Sequence, residues 1–234
     1  MFDDQVVVVT GGAGALGQAV VEHFGSRGAR VVAVDYSATL LTEALGEQTA
    51  SCQHRVCDLT DREACRDLTA SLLDQRGRID VLCNIAGGFQ MGEAVHETSD
   101  ATWNFLFDLN TKAVIYMTQN GIPAMVSRGF GKVINVGAVA ANRGQANMGA
   151  YLASKAATER LTESLAEEVR HQGVNVNCVL PSVIDTPKNR EDMPDAQFEH
   201  WVPTSKLADV IGFLASDAAS AVHGAAVPVR GLSA

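Results

Sequence analysis

Short runs of apolar, mostly β-branched residues recur along this chain, and longer amphipathic stretches separate them. Val6–Val9, Val31–Val34, Ile79–Cys83, Lys132–Val136, Val174–Val179 and Ala226–Val229 are such runs. They are continuous rather than alternating, so they read as strands covered on both faces. Helical periodicity lies between them, near residues 15–27, 61–75, 99–127, 148–172 and 204–216. In the second of these, Ala64, Leu68 and Leu72 recur at helical spacing, with Asp61, Arg62, Asp67 and Asp74 on the wet side. Strand and helix in alternation imply an α/β fold: a doubly wound, Rossmann-like parallel sheet of about seven strands with helices on both faces. The 234 residues show no internal repeat and no linker, which reads as a single domain spanning 1–234. Residues 185–203 break the rhythm with three prolines, Phe198 and Trp201 in a polar setting, and read as a long loop or lid over a site.

Composition narrows the partners. The formal net charge of −9 argues against a nucleic-acid backbone, which requires a cationic surface. Five cysteines, none in a CxxC pair and one left over, fit reduced thiols rather than a disulfide frame or a zinc site. The six histidines show no metal-ligand spacing, so no metal is expected. The start, Met1-Phe2-Asp3-Asp4, lacks a basic signal-peptide region, and no apolar run approaches the ~20 residues that span a bilayer. A cytoplasmic protein without a membrane partner is expected.

The first apolar run leads into Thr10-Gly11-Gly12-Ala13-Gly14-Ala15-Leu16-Gly17, in which Gly12, Gly14 and Gly17 fit GxGxxG. Glycines there permit a tight turn and bring a pyrophosphate onto backbone N–H groups at a helix N-terminus. A ligand-free glycine turn carries the same letters, but this one follows a buried strand and opens a helix. Asp35 ends the second run, eighteen residues past Gly17, where a carboxylate holds an adenosine ribose. A 2′-phosphate within ~4 Å of it meets a repulsion of about 4 kcal/mol at an effective dielectric of 20. NAD(H) is therefore favoured over NADP(H). Methyltransferases share both features, so the discrimination lies further along the chain.

Tyr151 and Lys155 stand four apart on a helical stretch, which puts both on one face. A tyrosine near pKa 10 is a poor acid-base group at neutral pH, and a neighbouring ammonium lowers that pKa. With this pair the chain resembles the short-chain dehydrogenase/reductase family over essentially its whole length. The motifs fall in family order: the glycine loop, Asp58-Leu59, Asn84-Ile85-Ala86-Gly87, Asn110, Tyr151-x-x-x-Lys155, and Pro181-Ser182-Val183-Ile184-Asp185-Thr186. The resemblance implies that Gly11, Gly14, Ala15, Leu16 and Gly17 cradle the cofactor and that Asp58 and Leu59 border its adenine. It implies that Asn84, Ala86 and Gly87 line it, and that Ile184 and Thr186, after Pro181, contact the nicotinamide carboxamide. Tyr151 is then the catalytic acid or base, Lys155 tunes it and holds ribose, and Asn110 supports a water-linked proton relay. Pairing of the long helices as a homodimer or homotetramer is also implied.

The chain departs from the family pattern where a serine usually stands thirteen residues before the tyrosine; here that residue is Ala138. Removing such a preorganised donor costs on the order of 10²–10³ in rate. Dihydropteridine reductases also lack that serine. The chain is similar to them at Ala86-Gly87-Gly88-Phe89, and from Asp185 through Arg190 to Trp201, while its C-terminal half is more like 3-oxoacyl or ketone reductases. Phe89 and Trp201 are candidate substrate contacts, and Gln145 or Asn147 is a candidate replacement donor beside Ala138. The expected activity is hydride transfer to or from a small carbonyl or conjugated imine. The alternative is a dinucleotide-binding sensor or scaffold without turnover.

Overall fold

The computed structural model describes residues 2–233. The elements in chain order are β1 (Val6–Thr10), α1 (Ala15–Gly25), β2 (Arg30–Asp35), α2 (Ala38–Leu45), β3 (Cys52–Val56), α3 (Arg62–Arg76) and β4 (Val81–Asn84). Next come α4 (Asp100–Phe107), α5 (Ala113–Arg128), β5 (Gly131–Val136), α6 (Gly149–Val169) and β6 (Val174–Pro181). The chain ends with β7 (Ile184–Asp185), α7 (Pro187–Asp192), β8 (Val202–Pro203), α8 (Thr204–Ala215) and β9 (Ala226–Val229).

Seven strands form one parallel sheet in the order β3-β2-β1-β4-β5-β6-β9. The apolar runs alternate their side chains between two cores. Val7, Val9, Val31 and Cys83 pack with Val20 and Phe24 of α1 and Leu207 and Ile211 of α8 on one face. Val8, Val32, Leu82, Val133 and Val176 pack with Leu68 and Leu72 of α3, Met117 and Met125 of α5, and Ala166 of α6 on the other. Each fully buried aliphatic side chain contributes about 1.5–3 kcal/mol relative to exposure. Strand order reverses between β1 and β4, so the crevice at the C-terminal ends of these strands is where a doubly wound sheet takes a ligand.

The structure adds elements that the periodicity did not mark. β3 is an edge strand of mixed polarity, Cys52-Gln53-His54-Arg55-Val56, so it has no continuous apolar run. Ala226–Val229, expected as a strand covered on both faces, is instead the opposite edge strand β9 and only half-buried, which lets it carry Pro228. The stretch 99–127 is two helices joined by a π-helical turn at Asp108–Lys112. The lid region is not a plain loop: β7 and β8 pair as a two-stranded parallel sheet, and α7 and a 3₁₀ turn at Phe198–His200 lie between them.

Candidate active site

The glycine turn is shaped by close backbone contact. Gly11 has φ +67°, and a Cβ on it would lie 2.8 Å from Ala86 Cα. A Cβ on Gly17 would collide with the Gly11 carbonyl. Gly14 is the N-cap of α1 and offers no side-chain cap, which leaves the first N–H groups of the helix open to an anion. Ala15 and the buried Leu16 form the first turn of that helix. The Asp35 carboxylate reaches this turn from the end of β2. It accepts from Ala13 N at 3.1 Å and from Tyr36 N at 2.8 Å, so both oxygens are anchored beside the turn.

The neighbouring strand ends complete the crevice. Asp58, exposed after β3, accepts from Thr60 N and Oγ1 at 2.9 and 2.7 Å, while Leu59 is buried in the core. Thr10 Oγ1 accepts from the N–H groups of Ile85 and Ala86 at 3.0 and 3.2 Å and so splices β1 to the segment after β4. Asn84 is buried and donates to Asn135 Oδ1 at 2.8 Å. Gly87 faces the centre of the site: a Cβ there would lie 2.9 Å from Asn110 Oδ1 and 3.1 Å from Lys155 Nζ. Pro181 closes β6, Ile184 begins β7, and Thr186 caps α7 by accepting from Asn189 N at 3.1 Å. Among the described residues no hydrogen bond from the Thr186 hydroxyl is formed.

The first two turns of α6 carry Tyr151 and Lys155. The Phe89 ring, 58% exposed, meets the Tyr151 ring edge-on, with centroids 4.8 Å apart and an interplanar angle of 82°. Lys155 is only 6% exposed and donates from Nζ to the Val136 carbonyl at 2.9 Å. Burial holds its pKa down to about 8, with the Cys178 thiol opposing. Burial also pushes the Tyr151 phenol up to about 12. The expected lowering of Tyr151 by Lys155 is therefore not what this form of the protein has: the ammonium is turned to a carbonyl, and desolvation governs the phenol.

Asn110 sits in the π-helical turn, 1% exposed. An inserted turn of this kind re-aims one side chain without ending the helix. Here it brings the Asn110 amide onto Gly88, accepting from Gly88 N at 2.8 Å and donating to Gly88 O at 3.0 Å. Ala138 is buried at the N-terminus of the 3₁₀ turn Val139–Asn142 and offers no hydroxyl.

Tyr151, Lys155, Asn110, Gly87 and Phe89 thus come together. No hydrogen bond or ring contact among the described residues ties Gln145, Asn147 or Trp201 to them. Gln145 and Asn147 are exposed; Asn147 takes a left-handed φ of +59°, and its carbonyl accepts from Gly92 N at 2.8 Å. Trp201 is 7% exposed and packs on Phe198 at 4.9 Å, with the Arg190 guanidinium over the Phe198 ring at 4.8 Å. It belongs to a small core of the lid rather than to an open substrate surface.

Comparison with known proteins gives the family. The family model for short chain dehydrogenases matches residues 5–197. The chain belongs to the short-chain dehydrogenase family. It is an oxidoreductase of that family, whose members bind nicotinamide dinucleotides. "Dehydrogenase/reductase SDR family member 6" of Aquarana catesbeiana is 31% identical over 245 aligned residues, covering 98% of this chain and 97% of that protein. The 3-oxoacyl-[acyl-carrier-protein] reductase of Thermotoga maritima is 30% identical, with 98% of both chains covered. The crystal structure of levodione reductase superposes with a TM-score of 0.88 at 26% identity, covering 99% of this chain and 98% of that one. No helix of the described residues is long and apolar enough to cross a membrane.

Short-chain dehydrogenase motifs did not mark three groups that the geometry brings forward. They are the Thr10 hydroxyl, the Val136 carbonyl and Ser154, which lies directly before Lys155 and is fully buried. Only Ser154 had a signal in the letters, as a hydroxyl on the inner face of an otherwise alanine-rich turn.

Proposed function

We propose that this chain is an NAD(H)-dependent enzyme that moves hydride to or from a small carbonyl or conjugated imine. Tyr151 is its general acid or base. The observation that carries the reading is that Asn110 and Lys155 abut Gly87 while Phe89, two residues on, meets the Tyr151 ring, at the C-terminal strand ends beside the glycine turn. The dinucleotide suits this crevice because glycine at 11 and 17 lets the turn fold onto Ala86 and onto the Gly11 carbonyl, which leaves the uncapped N-terminus of α1 facing a pyrophosphate. It supplies or takes up the hydride when bound.

The protein's own groups do the rest. Tyr151, kept neutral by burial, offers a phenolic proton to the acceptor in the reduction direction. Lys155, charged below about pH 8, holds ribose hydroxyls and stabilises the phenolate left behind. Asn110 supports the return of the proton. Gly14, Ala15, Leu16, Asp58, Leu59, Asn84, Ala86, Pro181, Ile184 and Thr186 frame the dinucleotide. Asp35, fixed by two backbone donors, selects a free 2′-hydroxyl over a 2′-phosphate and hence NAD(H) over NADP(H).

The missing hydroxyl at Ala138 favours an electron-poor acceptor, which needs less polarisation, and Phe89 suits a flat heterocycle of the dihydropterin kind. The 3-oxoacyl or ketone alternative requires Gln145 or Asn147 to swing inward as donor. The whole chain acts as one domain with 185–203 as a lid. Exposed Trp103 and Phe105 of α4, beside a groove of about 520 Å³ bordered by Val95, Gly149 and Ala153, favour a homodimer or homotetramer.

The test is steady-state oxidation of NADH and NADPH with quinonoid dihydropterin, ketones and 3-oxoacyl thioesters. NADH with the pterin is expected to be the better pair. Tyr151→Phe should lose at least about 10²-fold in kcat while still binding NADH. Wild-type turnover in that variant rejects the assignment. Absence of turnover with every acceptor favours the second reading, a non-catalytic sensor, for which Ala138 is the motive.

A further inference from the structure

The hydrogen bonds around Asn110 use both hydrogens of its amide nitrogen. Gly88 N–H is an unambiguous donor, so the Asn110 oxygen must face it, and the amide nitrogen then has two hydrogens to place. One goes to Gly88 O at 3.0 Å; the other goes to Ser154 Oγ at 3.0 Å. Ser154 in turn donates to the Tyr151 carbonyl one turn back, at 2.7 Å. The direction of the chain is forced: amide N–H to hydroxyl, hydroxyl to carbonyl. Only a group that accepts and donates at once completes it. Two threonines brace the same junction. Thr111 Oγ1 donates to Ser154 O at 3.0 Å, and Thr158 Oγ1 donates to Asn110 O at 2.8 Å. Ser154 itself is fully buried, so no water can replace its hydroxyl without a cavity.

This junction governs more than helix packing. Gly88 lies between Gly87, which abuts Lys155 Nζ, and Phe89, whose ring meets Tyr151. The segment Gly87–Phe89 is neither strand nor helix, and the Asn110 amide bonds both backbone polar groups of its central residue. We propose that Ser154 is a positioning residue: its hydroxyl locks the Asn110 amide to the Tyr151 turn of α6 and so sets where Phe89 and Gly87 meet the Tyr151–Lys155 pair. The inference rests on the oxidoreductase reading above and deepens it.

Ser154→Ala leaves an Asn110 N–H buried without a partner and frees the amide to rotate away from Gly88. With NADH and quinonoid dihydropterin, or the best acceptor of the panel, kcat is expected to fall about tenfold, equivalent to about 1.4 kcal/mol. KM for NADH should stay within about twofold, because the glycine turn is untouched. Ser154→Thr keeps the hydroxyl and should recover kcat. Amide hydrogen exchange needs no substrate: Gly88 N–H should exchange faster in Ser154→Ala, with Val8 and Val32 unchanged. Unchanged kcat together with unchanged Gly88 exchange overturns the proposal. Equal damage in the Ala and Thr variants also overturns it, since that assigns the effect to volume rather than to the hydroxyl. Exchange that rises equally at Gly88, Val8 and Val32 overturns it too, as general loosening. Tyr151→Phe separates the two levels. If that variant is inactive and Ser154→Ala is fully active, only this inference fails. If Tyr151→Phe turns over normally, the parent reading fails, while the Gly88 exchange arm still judges the clamp.

Discussion

Replacing Lys155 by methionine should make the protein more stable while removing its activity. The ammonium lies 6% exposed with one hydrogen-bond acceptor, the Val136 carbonyl, and burial holds its pKa at about 8 against 10.5 for a free lysine. The unfolded chain therefore binds this proton more tightly than the native one, and stability contributed at this site rises with pH between about 8 and 10.5. Below that window the folded protein carries a buried charge at a cost of about 3 kcal/mol. Methionine has a similar length and no charge. Losing the bond to Val136 O returns about 1 kcal/mol of the gain, which leaves about 2 kcal/mol net. For a chain of this size that is a rise in Tm of about 4–8 °C at pH 6.5.

The assay is thermal unfolding of wild type and Lys155→Met from pH 6.5 to 10, read as the difference between them so that other titrating groups cancel. The difference should shrink steadily above pH 8 as the wild-type lysine sheds its proton. Turnover should be lost throughout, because nothing remains to stabilise the Tyr151 phenolate. A variant less stable than wild type at pH 6.5, or a difference that does not change with pH, refutes the reasoning. Either result means that the ammonium is solvated in the native state by more than the Val136 carbonyl.

Gly11→Ala places a Cβ 2.8 Å from Ala86 Cα at φ +67°, and should abolish NADH binding measured by fluorescence; Gly25→Ala, with nothing within 4 Å, should bind normally and gain up to about 1 kcal/mol. Asp80, fully buried, accepts from Val6 N, Arg78 and Arg128 at the end of the sheet opposite the site. Asp80→Asn strands two guanidiniums and should cost about 3 kcal/mol in urea unfolding, with kcat unchanged for the folded fraction.

What the letters disclosed follows from how strands and helices bury themselves. β1, β2, β4, β5 and β6 are enclosed on both faces, so their residues form unbroken apolar runs. β3, at the edge, is free to carry Gln53 and Arg55 and leaves no such trace. Tyr151 and Lys155 were legible because a spacing of four is a statement about one helix. Asn110 was legible in kind but not in action: its contacts depend on a π-helical turn that no residue pattern announces. Ser154 was only hinted at for a related reason, since its bonds to Asn110 and Thr111 join α6 to a turn about forty residues away in the chain. Trp201 misled because the polar residues around it suggested an exposed loop. Phe198 and Arg190 make with it a small enclosed core that only the folded lid brings together.

The absent hydroxyl at Ala138 and the high pKa of Tyr151 bear on the same question. A ketone reductase needs a donor on the carbonyl oxygen and loses on the order of 10²–10³ in rate without one. A phenol at about 12 keeps its proton at neutral pH, so little phenolate is present to act as base in alcohol oxidation. Both features count less for an acceptor already poor in electrons, whose nitrogen takes the proton as hydride arrives. On the proposed reading the site is therefore biased toward reduction of a conjugated imine. Restoring the hydroxyl with Ala138→Ser should raise ketone turnover by more than it raises pterin turnover; an equal gain on both would break the link between the missing donor and the choice of acceptor.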